Sequence, residues 1–113
     1  MDLKTQKFSY VSPSVYQLRG YTPKEVQNQT CEDAMTHEDY IYIEENLLPR
    51  INEFLAGNEE LRVTRSELDQ YCKDGSIVQT EVVTTLLLDQ KGEVNEILGV
   101  TRDITARKKL KET

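Results

Sequence analysis

The spacing of apolar positions changes twice along the 113-residue chain. Residues 7–11, Lys-Phe-Ser-Tyr-Val, alternate and are rich in aromatics, which predicts a short strand. It ends at Ser12-Pro13, a hydroxyl N-cap followed by proline at the first helical position, and Gly20 closes that helical turn. Thr22, Pro23 and Glu25 repeat the logic as cap, first position and reciprocal capping-box partner. A longer helix is predicted from near Thr36, with Asp39 as a weaker capping partner, to Gly57. Within it Tyr40, Ile43, Leu47, Ile51 and Phe54/Leu55 recur at spacings of three and four, forming one face that should close a core. Pro49 removes a backbone donor in that run, which predicts a kink or a break near Leu48.

From Glu60 the period becomes two. Arg65, Glu67 and Asp69 share one side, with Thr64, Ser66, Leu68, Gln70 and Cys72 on the other. Asp74-Gly75 signals a hairpin turn, Ile77 to Leu88 a long second strand, Asp89-Gln90-Lys91-Gly92 another turn, and Glu93 to Ile104 a closing strand. Strand, two short helices, a longer helix and a three-stranded antiparallel meander make an α+β domain with its helices on one face of the sheet. The length supports one hydrophobic core.

Charge narrows the function classes. The net charge of −6 divides into +3 over residues 102–113 and −9 for the rest. A body that acidic argues against nucleic acid, whose binding needs Lys and Arg to neutralise phosphates. The basic residues of the tail read as a solvated helix face. With no run of about 18 apolar residues and no signal-peptide core, a cytoplasmic location is expected, without membrane contact by this segment. Cys31, Cys72 and the single histidine, His37, offer neither metal-ligand spacing nor a disulfide framework, so no metal is expected and both thiols read as free. The carboxylates read as an acidic surface and no nucleophile sits beside a base, so no catalytic residue is assigned and no enzymatic activity is expected of this segment.

Two stretches carry a family resemblance. "FSYVSPSVYQLRGYTPKEV" (8–26) resembles the opening of PAS domains, where a strand leads through a Ser-Pro or Asn-Pro helix into a Gly-Tyr-Ser/Thr-Pro-x-Glu turn. "CKDGSIVQTEVVTTLLLDQKGEVNEILGVTRDIT" (72–105) is similar to the second half of that family, with its Lys-Asp-Gly and Asp-x-x-Gly hairpins and closing Gly-Val-x-Arg-Asp-Ile-Thr. Between them only "HED" (37–39) stands where many members have His-Pro-Asp-Asp. The resemblance implies a PAS fold: a five-stranded antiparallel sheet with short helices and one longer helix packed on one face. Only Met1 to Leu3 remains for the first strand, which is therefore expected to be largely missing and to leave a sheet edge that would seek a partner chain. The domain is expected over residues 1–105, with 106–113 starting a C-terminal linker helix.

In this family the Asp-Ile-Thr triad hands the last strand over to a helix that leads to an effector domain. By resemblance, Asp103, Ile104 and Thr105 form a signalling junction, with Asp103 hydrogen-bonding across the exit, Thr105 capping the helix, and Ala106 and Leu110 starting a dimer seam. The implied function is a sensory module of a multidomain signal-transduction protein, a sensor histidine kinase. A diguanylate cyclase or a ligand-free dimerisation and relay module are the alternatives. The implied partners are a second copy, met through the sheet edge and the C-terminal helix, and an effector in the same chain.

PAS domains bind haem, flavin, small metabolites or nothing. Alternation places Leu68, Gln70, Cys72, Thr80, Val82, Thr84, Leu86, Ile97, Gly99 and Thr101 on the inner face as pocket candidates. The opposite phase would bury Glu67, Asp69 and Glu81, each needing a partner. Cys31 stands where the LOV subfamily carries its flavin-adduct cysteine, but "TCEDAM" replaces the Asn and Arg around it, and Thr80 and Thr101 replace the amides that read the flavin ring. Haem needs an axial ligand on the cavity helix, and His37 sits at that helix's start in a polar loop. No cofactor is therefore expected. A small polar or amphipathic metabolite and a core filled by its own side chains both stay open, with a slight preference for an unliganded or weakly liganded core.

Overall fold

Polar side chains that accept backbone N–H groups set where the helices start. The computed structural model describes residues 1–105, and in it α1 (Val15–Arg19), α2 (Pro23–Gln27), α3 (Cys31–Ala34) and α4 (His37–Leu55) follow one another. At α2 the Thr22 hydroxyl accepts from the Glu25 N–H at 3.2 Å, and the Glu25 carboxylate accepts from the Thr22 N–H at 3.0 Å, with Pro23 at the first position as the spacing predicts. Thr30 and Asp33 make a second reciprocal cap at α3. The sequence pattern does not flag it, since the usual box has Glu or Gln at that place. At α1 the N-cap position falls on Ser14, without a side-chain cap bond, rather than on Ser12. Ser12 and Pro13 instead form a tight turn whose carbonyls accept from Val15 and Tyr16 at 3.1 and 3.2 Å, each three residues on. Gly20, at φ 81°, then closes α1 by donating to the Tyr16 carbonyl at 2.9 Å.

Thr36 caps α4, accepting from the Asp39 N–H at 3.4 Å. The Asp39 carboxylate serves elsewhere: it accepts from the Asp69 N–H at 2.7 Å, while the Thr36 N–H donates to the Asp69 carbonyl at 3.2 Å. These bonds fasten the start of α4 to the sheet. Of the kink or break expected near Leu48, the break does not occur: the helix runs unbroken through Pro49 to Leu55. Pro49 and Glu45, whose carbonyl loses its donor, both lie on the exposed side, where that loss costs least. The apolar stripe of α4 closes on the core only in part: Tyr40 and Ile43 pack against it, and no residue of the helix is fully buried.

After a 3-10 turn (Glu59–Arg62) come β1 (Val63–Tyr71), β2 (Ile77–Leu88) and β3 (Val94–Asp103), an antiparallel sheet in the order β1-β2-β3. Leu68 lies opposite Thr80 and Leu86 opposite Ile97, with a bulge between Leu87 and Leu88. Met1–Leu3 pair along the start of β3, where the Ile97 N–H donates to the Met1 carbonyl at 2.9 Å and the Leu3 N–H to Asn95 at 3.1 Å. The strand expected at 7–11 is absent: Lys7 alone bridges to Thr30, and Tyr10 is exposed. Among the described residues no neighbouring strand runs beside residues 8–11, and alternation without a neighbour does not make a strand. Cys31, Met35, Leu68 and Val82 form the central apolar cluster, with Met1, Tyr40 and Ile43 against it.

Two polar contacts tie the helices to the β1–β2 hairpin. Arg19, only 3% exposed, donates from Nε to the Tyr71 carbonyl at 2.7 Å and from Nη2 to Gln29 Oε1 at 3.3 Å and the Ala34 carbonyl at 3.4 Å. Its guanidinium also lies 5.0 Å from the Tyr21 ring centroid, and burial holds its pKa below the ordinary value. On the surface, the Lys73 ammonium meets the Glu25 carboxylate at 2.8 Å. That contact, helped by the Thr22 backbone N–H, holds the Glu25 carboxyl down at about 2. A carboxyl depressed in the folded state contributes above its ordinary value of 4.5 and loses that contribution as pH falls through about 2. Both groups are solvated, so the readout is a titration midpoint rather than a stability. A carboxyl NMR titration is expected to place Glu25 near 2 in the native chain and to move it up in Lys73→Met, to a midpoint still below its ordinary value because the Thr22 N–H continues to donate to it. An unmoved midpoint would remove Lys73 as the cause.

Candidate signalling junction and ligand cavity

Where β3 ends, the chain is pinned before it leaves the sheet. Asp103 pairs with Thr80, and its carboxylate accepts from the Thr105 N–H at 2.8 Å. Ile104 is 2% exposed and donates its N–H to the Gln79 carbonyl at 3.0 Å. Asp103, Ile104 and Thr105 are thus brought together, one side chain holding the exit and one side chain sunk in the core. Helix capping by the Thr105 hydroxyl, the seam of Ala106 and Leu110, and the basic tail lie outside the described residues.

One row inward, Glu81 is only 6% exposed although it sits on the outer face of the sheet. It occupies the central strand between Arg65 on β1 and Arg102 on β3, whose guanidinium nitrogens approach its carboxylate at 3.8 and 3.1 Å. The alternating phase keeps Glu81 off the inner face, yet the residue is buried, with Arg65 and Arg102 beside its carboxylate. Nothing in the alternating pattern signals this, because the burial of an outer-face residue depends on neighbours distant in sequence.

Of the ten inner-face candidates, Leu68, Gln70, Thr80, Val82, Leu86 and Ile97 are buried, while Cys72 and Thr84 are half-buried. Gly99 and Thr101 are exposed, since Met1–Leu3 cover only the start of β3. The polar members are committed within the fold. The Thr80 hydroxyl donates to the Leu68 carbonyl at 2.8 Å and accepts from the Gln70 amide at 3.0 Å. The Thr84 hydroxyl accepts from Arg50 at 2.8 Å and meets Thr64 at 3.2 Å, and the Cys72 thiol lies 3.8 Å from the Leu18 carbonyl.

A cavity of about 210 Å³ lies elsewhere, lined by none of those ten. Its walls are Met1, Leu3 and Gln6 from the N-terminal segment, Cys31 at the start of α3, and Tyr40, Ile43, Glu44, Leu47, Leu48 and Ile51 from α4. It occupies the space that the half-buried stripe of α4 leaves unfilled. At one wall the Tyr40 hydroxyl donates to Gln6 Oε1 at 3.3 Å. Burial pushes the Cys31 thiol up to about 11, which disfavours the nucleophilic thiolate. The fit to a flavin nucleotide is poor: the cavity is below the ~300 Å³ lower end for drug-sized ligands. His37, the haem candidate, is exposed at the start of α4 and outside the cavity lining. Among the described residues no helix is long and apolar enough to cross a membrane.

Several solved structures share this arrangement. The N-terminal domain of a diguanylate cyclase with PAS/PAC sensor from Marinobacter aquaeolei superposes with a TM-score of 0.72 at 21% identity, covering 96% of this chain and 94% of that one. A sensory box histidine kinase/response regulator from Burkholderia thailandensis gives 0.65 at 19%, covering 98% and 78%. The blue-light photoreceptor Aureochrome1 LOV, in its light state, gives 0.70 at 18%, covering 96% and 82%. A comparison with curated proteins finds no match. The profile for "PAS domain" matches residues 2–106, nearly the whole chain, and takes in both the capped short helices and the pinned exit of β3. With that profile and that fold in agreement, the chain belongs to the PAS domain family.

Proposed function

We propose that this PAS domain is the sensory input module of a sensor histidine kinase, held on the cytoplasmic side and acting as a homodimer. The observation that supports this reading best is the pinned exit of β3, where Ile104 is buried and bonded to Gln79 while Asp103 holds the Thr105 N–H. A displacement of β2 is thereby delivered directly to the segment that follows. The signal is a population shift between two arrangements of that exit, driven by whatever binds one of them better. The exposed Gly99 and Thr101 leave part of the β3 edge free for a second copy. A diguanylate cyclase output would use the same junction, since both effectors work as dimers.

The test is Asp103→Ala in the full-length protein. The domain is expected to stay folded, with an unfolding loss of about 1 kcal/mol for the missing cap, while effector activity no longer responds to the stimulus. Normal regulation in that variant would sink the junction role. The relay reading draws on a separate observation, the polar groups satisfied within the fold, Gln70 with Thr80 and Thr84 with Arg50 and Thr64, which resemble a filled core. Native mass spectrometry of the purified protein separates the two, a co-purifying mass favouring the sensor and a clean apo mass the relay.

A further inference from the structure

We propose that the cavity between the N-terminal segment and α4 is a binding site for a small, uncharged aromatic molecule bearing one hydroxyl. The assignment deepens the sensor reading and rests on it, with the ligand held by a lining that includes none of the ten inner-face candidates. At about 210 Å³ the space admits on the order of ten heavy atoms at ordinary packing density. Three separate parts of the chain wall it, the N-terminal segment, the start of α3 and α4. It faces the stripe of Tyr40, Ile43, Leu47 and Ile51 that the protein's own side chains leave half-covered.

The lining decides the chemistry. Eight of its ten residues are apolar or aromatic, so a charged body would lose its hydration without a matching partner. An anion is further disfavoured by the Glu44 carboxylate at the exposed side, while the Met1 ammonium already donates to the Ile97 carbonyl. The sulfurs of Met1 and Cys31 and the ring of Tyr40 suit an aromatic body. One polar pair is present to receive a hydroxyl, the Tyr40 phenol and the Gln6 amide joined by a long 3.3 Å bond. Gln6 reaches that place through a strained backbone. Its φ is 58°, in the left-handed region, held by its N–H to the Asp2 carbonyl at 2.8 Å and its carbonyl to the Cys31 N–H at 3.0 Å. A non-glycine residue kept in that conformation, with its amide at a cavity wall, is the kind of outlier that collects at ligand sites.

The experiment is an amide NMR titration of the purified protein with benzyl alcohol and, separately, with benzoate. Benzyl alcohol is expected to cause saturable shifts at Leu3, Cys31, Ile43 and Leu47, with benzoate binding at least tenfold more weakly. Leu47→Trp and Ile43→Phe fill the space from two positions, and each folded variant is expected to lose at least tenfold in affinity for benzyl alcohol. No saturable shift at those amides, equal binding of benzoate, or full affinity in both filled variants would overturn the site. Absent binding together with uncoupling by Asp103→Ala removes the cavity assignment alone. Binding together with normal regulation in Asp103→Ala supports the cavity and removes the junction reading alone.

Discussion

Replacing Arg19 with methionine is expected to destabilise the domain by about 3 kcal/mol, read as a lower urea midpoint at an unchanged denaturant slope. Methionine retains most of the side chain's length and apolar stem, so the loss isolates the hydrogen bonds from the packing. Without the guanidinium, the buried Ala34 carbonyl and the part-buried Tyr71 carbonyl and Gln29 amide oxygen each lose a donor. Each buried acceptor left unsatisfied costs about 1–3 kcal/mol. Against this stands a gain, because the bonds that hold the cation are to neutral acceptors and its burial is itself unfavourable, as the lowered pKa records. Three orphaned acceptors outweigh one relieved desolvation, which sets the sign. Arg19→Lys is expected to recover little, since a lysine ammonium lacks the planar fork that spans the end of β1, the α2–α3 loop and the end of α3 at once. A loss under about 1 kcal/mol in Arg19→Met would mean that backbone bonds, such as Lys73 N–H to the Arg19 carbonyl at 2.8 Å, hold the hairpin by themselves.

The reach of sequence reasoning follows from whether a feature is local. The change of period from three-and-four to two separates α4 from the sheet, and the Asp-Gly and Asp-x-x-Gly turns divide the sheet into its strands, because side-chain direction and turn geometry are set within a few residues. The Thr22–Glu25 cap is legible for the same reason. Arg19 is not, because a basic residue in the last turn of a short helix ordinarily faces solvent. The burial of Glu81 is hidden likewise, since its ion pairs are with arginines on the two flanking strands. The strand expected at 7–11 has the right alternation but lacks a neighbour, and neighbours are chosen by tertiary structure. The cavity is the clearest case. Periodicity finds Tyr40, Ile43, Leu47 and Ile51 as one face, but not that Met1, Leu3, Gln6 and Cys31 stand opposite and leave the face half-filled.

That half-filled face gives Arg50 its importance. With no residue of α4 fully buried, polar tethers do much of the work of holding the helix to the sheet, Asp39 and Thr36 to Asp69 at one end and Arg50 near the other. One position after Pro49, the Arg50 guanidinium donates to the Leu61 carbonyl at 2.8 Å, the Arg62 carbonyl at 3.0 Å, and the Thr84 hydroxyl and carbonyl at 2.8 and 3.1 Å. It therefore joins α4, the 3-10 turn and the central strand through one planar group. Arg50→Met is expected to cost about 2 kcal/mol, less than Arg19→Met because water can reach part of the vacated site. The loss should be local. Hydrogen exchange is expected to accelerate roughly 30-fold in the C-terminal half of α4, with the amides shared by β1 and β2 near Leu68 and Thr80 little changed. Since α4 is also the main wall of the cavity, benzyl alcohol should bind this variant more weakly even though Arg50 does not line the space. An equal acceleration in helix and sheet would contradict the picture of a tethered helix and make α4 part of one cooperative unit with β2. Faster exchange confined to α4 would identify the helix as the element whose position a ligand in the cavity can set, with Thr84 carrying that position into the central strand.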